Sequence, residues 1–228
     1  MAGRLTSLLF LGFLFQALVG LGATEDCIQH FEEEVSTPTH LITGFSKATT
    51  ERDPLSLVEI NEIINIGQKI WKIIEANKPV LNVKFDYANA LPKGIESSDE
   101  LEGFSNIQMK SRRLYGKNLY GATVYDLTYT AVHRFGGSYE GHGQYLENVT
   151  ILPQNIDVLW GYTVNLAVNR VSTVNVGTKS KPIASILMEL DMDVSTVMKT
   201  SQVKKLIQFR GDSPEVITSE RCDSCPSR

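Results

Sequence analysis

The sequence predicts a mainly β fold with one N-terminal amphipathic helix (α+β), in which the helix covers an antiparallel β-sandwich or a strongly coiled sheet. Three observations predict this class. A single clear helical pattern occurs early, between residues 56 and 77. Beyond it, apolar and polar residues alternate along successive segments, and many of these are longer than ten residues. Runs of glycine, proline, asparagine and serine separate the segments, as expected for turns.

Residues 1–23 have the pattern of an export signal. Arg4 precedes the apolar run LLFLGFLFQALVGLGA, and the small residues Gly20, Gly22 and Ala23 offer a cleavage site. A membrane-spanning helix needs about 20 apolar residues, usually with a stop-transfer flank. We therefore expect a cleaved signal peptide and a secreted, extracellular chain. No later segment is long and apolar enough to predict a transmembrane segment.

The exported chain divides into three parts by composition. Residues 24–55 form a polar lead, residues 56–212 a single helix-plus-β domain, and residues 213–228 a polar tail that contains cysteine. The formal net charge is −4, and the loss of Arg4 with the signal makes it −5. Because no basic surface is evident, nucleic acid is not an expected partner.

The helix is predicted over about residues 57–77. Ser56 and Glu59 have the spacing of a capping box, in which each side chain accepts a hydrogen bond from the backbone of the other. Asn77 to Pro79 end the pattern. The apolar stripe of the helix contains Ile60, Ile63, Ile64, Gly67, Ile70, Trp71 and Ile74.

The clearest strand pattern lies in PIASILMELDMDV, residues 182–194. Its apolar residues alternate with Ser185, Glu189, Asp191 and Asp193, which predicts one dry face and one wet face. The three carboxylates resemble a calcium ladder, but alternate strand residues are about 6.6 Å apart, too far to share one ion. We expect them to face Lys204 and Lys205 or water. Residues 91–121 show weak periodicity and predict a long excursion with little regular structure.

Three cysteines lie near the ends of the exported chain, at Cys27, Cys222 and Cys225. In an oxidising compartment they are expected to form disulfides. A bridge from Cys27 to either of the other two would join the ends of the domain. The remaining thiol could join a second chain in a disulfide-linked dimer. The spacing CDSC resembles a redox pair, but no helix follows to stabilise a thiolate.

Asn148 begins the sequon NVT, which export makes available for N-glycosylation. A glycan at this position requires that the Asn148 side chain face solvent. We therefore expect a glycoprotein modified at Asn148.

The segment HRFGGSYEGHG contains the strongest candidate for metal binding. A two-residue turn at Gly136 and Gly137 would bring His133, Glu140 and His142 to one face as transition-metal ligands. A three-residue loop, residues 136–138, pairs apolar with apolar residues instead and separates the histidines. The second register is favoured, so no metal site is predicted.

No motif for catalysis or phosphate binding occurs. The glycines of GGSYEGHG are followed by neither a Lys-Ser/Thr pair nor a helix, and GxSxG is absent. We therefore predict no catalytic residues, no cofactor and no enzymatic activity. A secreted enzyme or metal-binding protein remains a third, less favoured alternative.

The tripeptide Arg210, Gly211 and Asp212 follows the last predicted strand and is extended by Ser213 and Pro214. It resembles the integrin-binding motif of adhesive extracellular proteins of the fibronectin type. The resemblance covers five residues. It implies receptor binding through Arg210, Gly211 and Asp212, with the two charges held apart on an exposed turn and the glycine in an unusual backbone conformation. The favoured function is an extracellular binding protein whose partner is an integrin-like receptor or a matrix protein.

In outline the chain is also similar to actinoporin-type pore-forming toxins, which join a secreted β-sandwich to an amphipathic helix and carry an Arg-Gly-Asp tripeptide. Here the helix would start about 33 residues into the exported chain, cysteines and a sequon are present, and no aromatic cluster for lipid headgroups is evident. The resemblance implies a membrane-active, pore-forming-type secreted protein as the alternative function. Core packing explains the apolar stripe of the helix more simply.

Overall fold

The computed structural model describes residues 28–37, 80–84 and 86–222, which form ten strands and one short 3-10 helix. The strands are β1 (Gln29–Val35), β2 (Val80–Lys84), β3 (Tyr87–Ala90), β4 (Gln108–Lys117), β5 (Thr123–Tyr139), β6 (His142–Val158), β7 (Thr163–Asn175), β8 (Ala184–Ser195), β9 (Thr200–Arg210) and β10 (Ile217–Cys222). The 3-10 helix spans Ser98–Glu100.

Two five-stranded sheets contain all of these strands, one in the order β1-β4-β5-β6-β3 and the other in the order β10-β9-β8-β7-β2. Every neighbouring pair is antiparallel except β2 and β7, which are parallel. The prediction of a mainly β fold is confirmed. The predicted helix over residues 57–77 lies outside the described residues, as does the predicted signal peptide. No helix in the described ranges has the length and apolarity that a membrane crossing requires.

The sheets include strands that precede and follow the predicted domain, residues 56–212, in the sequence. Strand β1 lies within the predicted polar lead and β10 within the predicted polar tail. The expectation of little regular structure over residues 91–121 was wrong for its second half, because β4 occupies Gln108–Lys117 and pairs with both β1 and β5. The polar residues of β4 obscured its periodicity: Arg112 and Arg113 form ion pairs with Glu32 and Glu33 of β1.

One hydrophobic core lies between the two sheets. The alternation predicted for β8 is confirmed from Met188 to Val194, where the apolar residues are buried and the carboxylates lie on the other face. Ser185, which was predicted on the wet face, is instead buried. Fully buried side chains of both sheets contact one another in this core, and they include Leu114, Tyr125, Leu127, Tyr129, Leu146, Ile151, Leu166, Ile186, Met188, Leu190, Ile207 and Phe209. Burial of each such side chain contributes about 1.5–3 kcal/mol to stability.

A buried ion pair crosses this core. Lys205 of β9 is 3% exposed, and its Nζ lies 3.0 Å from Glu32 Oε2 of β1. The other oxygen of Glu32 accepts a hydrogen bond of 2.6 Å from the Tyr129 hydroxyl. Arg112 Nη1 lies 3.4 Å from Glu32 Oε2. Glu32 therefore connects β1 to β4 and β5 of its own sheet and to β9 of the opposite sheet.

The β5–β6 hairpin differs from both predicted registers. Tyr139 pairs with His142, so Glu140 and Gly141 form the two-residue turn. Both have positive φ, 49° and 72°, as a type I′ turn requires. Several register shifts interrupt the hairpin between Thr128 and Tyr139, and alternation alone could not reveal them.

The turns gather at two opposite ends of the sheets. At one end lie the turns 118–122, 159–162 and 196–199, which we call the apolar end. At the other lie the Glu140–Gly141 turn, the loop 176–183 and the Arg-Gly-Asp turn 210–212, which we call the polar end. The two ends differ in composition: large apolar residues occupy the turns of the first and polar or charged residues those of the second.

Candidate functional site

The three turns of the apolar end are neighbours because of strand pairing. Leu159, in the β6–β7 turn, donates its backbone N–H to the carbonyl of Val124, at the start of β5. Thr163, which begins β7, pairs with Ser195, which ends β8. The β6–β7 turn therefore lies between the β4–β5 turn and the β8–β9 turn, at the point where the chain passes from one sheet to the other.

The β4–β5 turn is held by Asn118. Its side-chain oxygen accepts hydrogen bonds from the backbone N–H groups of Tyr120, at 3.1 Å, and Ala122, at 3.0 Å. Gly121 has a φ of 78°, which a side chain at Cβ would disfavour. The turn therefore presents Leu119 and Tyr120 at its tip.

The other two turns are also fixed by polar groups. In the β6–β7 turn, the backbone N–H of Tyr162 donates to the carbonyl of Leu159 at 3.1 Å, and Gly161 has a φ of 87°. In the β8–β9 turn, Thr196 Oγ1 accepts hydrogen bonds from the N–H groups of Met198, at 3.3 Å, and Lys199, at 3.1 Å. The β6–β7 turn is thus ordered by a backbone hydrogen bond, and the other two turns by a capping side chain as well.

Each turn presents two consecutive apolar residues to solvent. Turn tips ordinarily carry glycine, proline, asparagine, aspartate or serine. Large apolar side chains that are exposed at such positions indicate a binding surface. The exposed fractions are 39% for Leu119, 77% for Tyr120, 40% for Leu159, 95% for Trp160, 102% for Val197 and 91% for Met198.

The charge of the apolar end is positive. Lys117 precedes the first turn and Lys199 ends the third, whereas no aspartate or glutamate occurs in any of the three turns. Lys199 is exposed. A surface of tryptophan, tyrosine and aliphatic side chains with lysine at its border has the chemistry of groups that enter the interface of a lipid bilayer.

The Arg-Gly-Asp turn lies at the polar end, and its charges are not held apart. Arg210 Nε donates to Asp212 Oδ1 at 2.9 Å, and Arg210 Nη2 lies 2.7 Å from Asp212 Oδ2. The side chains are 35% and 25% exposed. The hydrogen bonds from Arg210 lower the pKa of Asp212. The two groups that a receptor would bind separately therefore bind each other.

Gly211 lies inside the fold. Its N–H donates to the Ala184 carbonyl at 2.8 Å, and its carbonyl accepts from the Gly136 N–H at 2.9 Å. Its φ is not in the left-handed region. A Cβ at this position would instead clash with the Gln144 carbonyl. The expectation of an unusual backbone conformation was therefore wrong, because the glycine serves a close approach of two strands.

The sequon is only partly accessible. Asn148 has a φ of 56°, and its backbone N–H donates to Asn89 Oδ1 at 2.8 Å. Its Nδ2, the atom to which a glycan attaches, is buried and has no hydrogen-bond partner among the described residues. A glycan on the folded domain would require the Asn148 side chain to rotate outward. Glycosylation stays a prediction that this geometry does not favour.

The structure separates the two histidines of the metal hypothesis. His133 is fully buried, with its ring edge-on to Phe209 at a centroid distance of 5.1 Å, whereas His142 is exposed at the hairpin turn. Arg134, next to His133, forms an ion pair of 2.8 Å with Glu147. Among the residues that the structure describes, no cluster of three metal-ligating side chains occurs.

Burial lowers the pKa of His133 to about 4. Neither ring nitrogen has a hydrogen-bond partner in the described part of the chain. His133 is therefore a neutral core residue at physiological pH.

The carboxylates of β8 meet lysine as predicted. Lys204 Nζ lies 3.2 Å from Asp191 and 3.8 Å from Glu189, which confirms the expectation for Lys204. The hydrogen bond with Asp191 raises the pKa of Lys204. The expectation for Lys205 was wrong, because Lys205 lies on the opposite face and binds Glu32.

Cys222 ends β10 opposite Val203, while Cys27 and Cys225 lie outside the described residues. Strand β1 begins at Gln29, opposite Lys117 at the apolar end. Gln29, two residues after Cys27, and Cys222 therefore lie at the same end of the sheets. This arrangement is compatible with the predicted bridge, which stays a prediction.

Sequence reasoning missed the apolar end, although a signal was present. The segments NLYGA, LWGY and TVMK each place two large apolar residues between strands, where turn chemistry calls for polar residues. Tyr120 and Trp160 come from turns that are about 40 residues apart in sequence, and the pairing of β5 with β6 brings these two turns to the same end of the sheets.

The fold and this end define the chain as a two-sheet β protein with an apolar set of turns. No protein-family model, curated protein or solved structure matches it.

Proposed function

We propose that this is a secreted binding protein that attaches to the surface of a lipid membrane through its apolar end. The observation that carries the proposal is the exposure of six large apolar side chains at the tips of three neighbouring turns. Arg210 and Asp212 form an ion pair with each other. We therefore assign the binding function to the apolar end and not to the Arg-Gly-Asp turn.

The arrangement of the tips supports a membrane as the partner. Rigid turns present the apolar pairs, so insertion requires little ordering of the chain. Tryptophan and tyrosine favour the interface between headgroups and acyl chains, and Lys199 can remain at the level of the headgroups. Burial of one large apolar side chain contributes about 1.5–3 kcal/mol, so a few such side chains account for micromolar to millimolar binding.

Flotation with vesicles tests the proposal. The wild-type protein is expected to float with phosphatidylcholine vesicles, and more completely when phosphatidylserine is added, because the turns carry lysine and no carboxylate. A Tyr120→Ser, Trp160→Ser, Met198→Ser variant is expected to lose binding by at least about 100-fold.

A second variant controls for the loss of exposed apolar surface outside the three turns. Val171 and Val174 are 51% and 50% exposed on β7, away from the apolar end. A Val171→Ser, Val174→Ser variant removes exposed apolar surface without touching the three turns and is expected to bind as the wild type does. Equal binding by the turn variant, or no binding of the wild type at any lipid concentration up to the millimolar range, would refute the proposal.

A further inference from the structure

A shallow cavity opens between two turns of the apolar end. It lies where the β6–β7 turn meets the β8–β9 turn, and its volume is about 10 Å³, enough for one oxygen-sized atom. Its lining residues are Tyr162, Val194, Thr196, Lys199 and Ser201. The cavity therefore lies directly between the tips that carry Trp160 and Met198.

The floor of the cavity contains an unused hydrogen-bond donor. Ser201 is 6% exposed and faces Val194 across the β8–β9 pair. Its hydroxyl is buried and has no partner among the described residues. Buried hydroxyl groups are nearly always satisfied, so an unpartnered one that lines a cavity points to a ligand or a bound water.

The rim of the cavity contributes a positive charge. Lys199 is exposed and forms no ion pair with any residue in the described ranges. Thr196 holds the backbone of Lys199 in place, since its hydroxyl accepts the Lys199 N–H at 3.1 Å. One hydroxyl donor at the floor and one ammonium at the rim suit an anionic oxygen better than a neutral group.

We propose that the cavity binds one non-bridging oxygen of the phosphate of a phospholipid headgroup. Ser201 would donate a hydrogen bond to this oxygen, and Lys199 would pair with the charge of the phosphodiester. A tetrahedral phosphate can place one oxygen in a small cavity while its other oxygens stay at the rim. The lipid is the expected source because the cavity opens between apolar tips, at the depth where headgroup phosphates lie when aromatic residues occupy the interface.

This inference rests on the proposed membrane attachment, and the test separates the two. Binding is measured to phosphatidylcholine vesicles and to galactosyl diacylglycerol vesicles, which lack phosphate. The wild type is expected to bind the phospholipid vesicles about tenfold more tightly. Ser201→Ala is expected to remove most of that preference and to leave galactolipid binding unchanged. Lys199→Gln is expected to reduce binding to the phospholipid vesicles. Because Ser201→Ala removes an unsatisfied buried hydroxyl, its thermal midpoint should be no lower than that of the wild type.

Ser195→Ala is the matched control, because Ser195 Oγ bonds to Thr200 Oγ1 at 2.9 Å in the same hairpin and does not line the cavity. It is expected to keep the phospholipid preference. Equal affinity of the wild type for both vesicles, or no effect of Ser201→Ala, would overturn this inference and leave membrane attachment standing. Absence of binding to either vesicle would overturn both. Ser201-dependent binding of inorganic phosphate alone, without any effect on vesicle binding, would overturn the assignment to a lipid.

Discussion

Lys205 of β9 and Glu32 of β1 form an ion pair of 3.0 Å across the core, although they belong to different sheets and are 173 positions apart in sequence. Lys205 is almost completely buried, and Glu32 is 12% exposed. A charge in such a place requires its partner, because desolvation of an unpaired charge costs several kcal/mol.

Loss of this pair is expected to destabilise the domain. Lys205→Met leaves Glu32 with Tyr129 and Arg112 and should lower the free energy of unfolding by about 3 kcal/mol, as measured by urea denaturation. Lys204→Met is the matched control, since its ion pairs lie on the outer face and should contribute less than about 1 kcal/mol. Equal effects of the two substitutions would contradict the structure.

Acid sensitivity is expected from His133. Its pKa is near 4 in the folded protein and near 6.5 when unfolded, so the unfolded state binds the proton first as pH falls. The contribution of the neutral His133 to the free energy of unfolding is therefore fully present above pH 6.5. About 3 kcal/mol of it is lost progressively as the pH falls towards 4. His133→Phe should reduce this pH dependence, whereas His142→Gln, at an exposed site, should not. An unchanged pH profile in His133→Phe would show that other groups determine acid unfolding.

The Arg-Gly-Asp turn is expected to contribute to the stability of the folded domain. Gly211→Ala should lower stability by about 1–3 kcal/mol, because a Cβ meets the Gln144 backbone. Cell attachment to the immobilised protein should be the same for the wild type and for Asp212→Glu. A loss of attachment in Asp212→Glu, with an unchanged thermal midpoint, would restore the adhesive hypothesis.

Trp160 should report membrane contact directly. The chain has two tryptophans, and Trp71→Phe leaves Trp160 as the single emitter. Trp160 is 95% exposed, so its emission should shift to shorter wavelength, and quenching by acrylamide should fall, when vesicles are added. Unchanged emission of a protein that floats with vesicles would mean that another surface makes the contact.

Much of the fold was predictable because strand periodicity is local. The alternation in residues 188–194 is enough to assign which side chains of that part of β8 are buried. The β5–β6 register was not predictable, since several bulges shift the pairing and each shift reverses the facing of later residues. The role of β1 was also missed, because its acidic run is stabilised by Arg112, Arg113 and Lys205 from strands far along the chain.

The sequence by itself determined the β class, the alternation of its clearest strand and the short list of unusual residues, because these depend on neighbours along the chain. The tertiary structure alone decided which of those residues matter together. In it, Arg210 forms an ion pair with Asp212, and Tyr120, Trp160 and Met198 lie at one end of the sheets. The physical reason is that strand register and sheet stacking join residues that are distant in sequence, and a binding surface depends on those junctions.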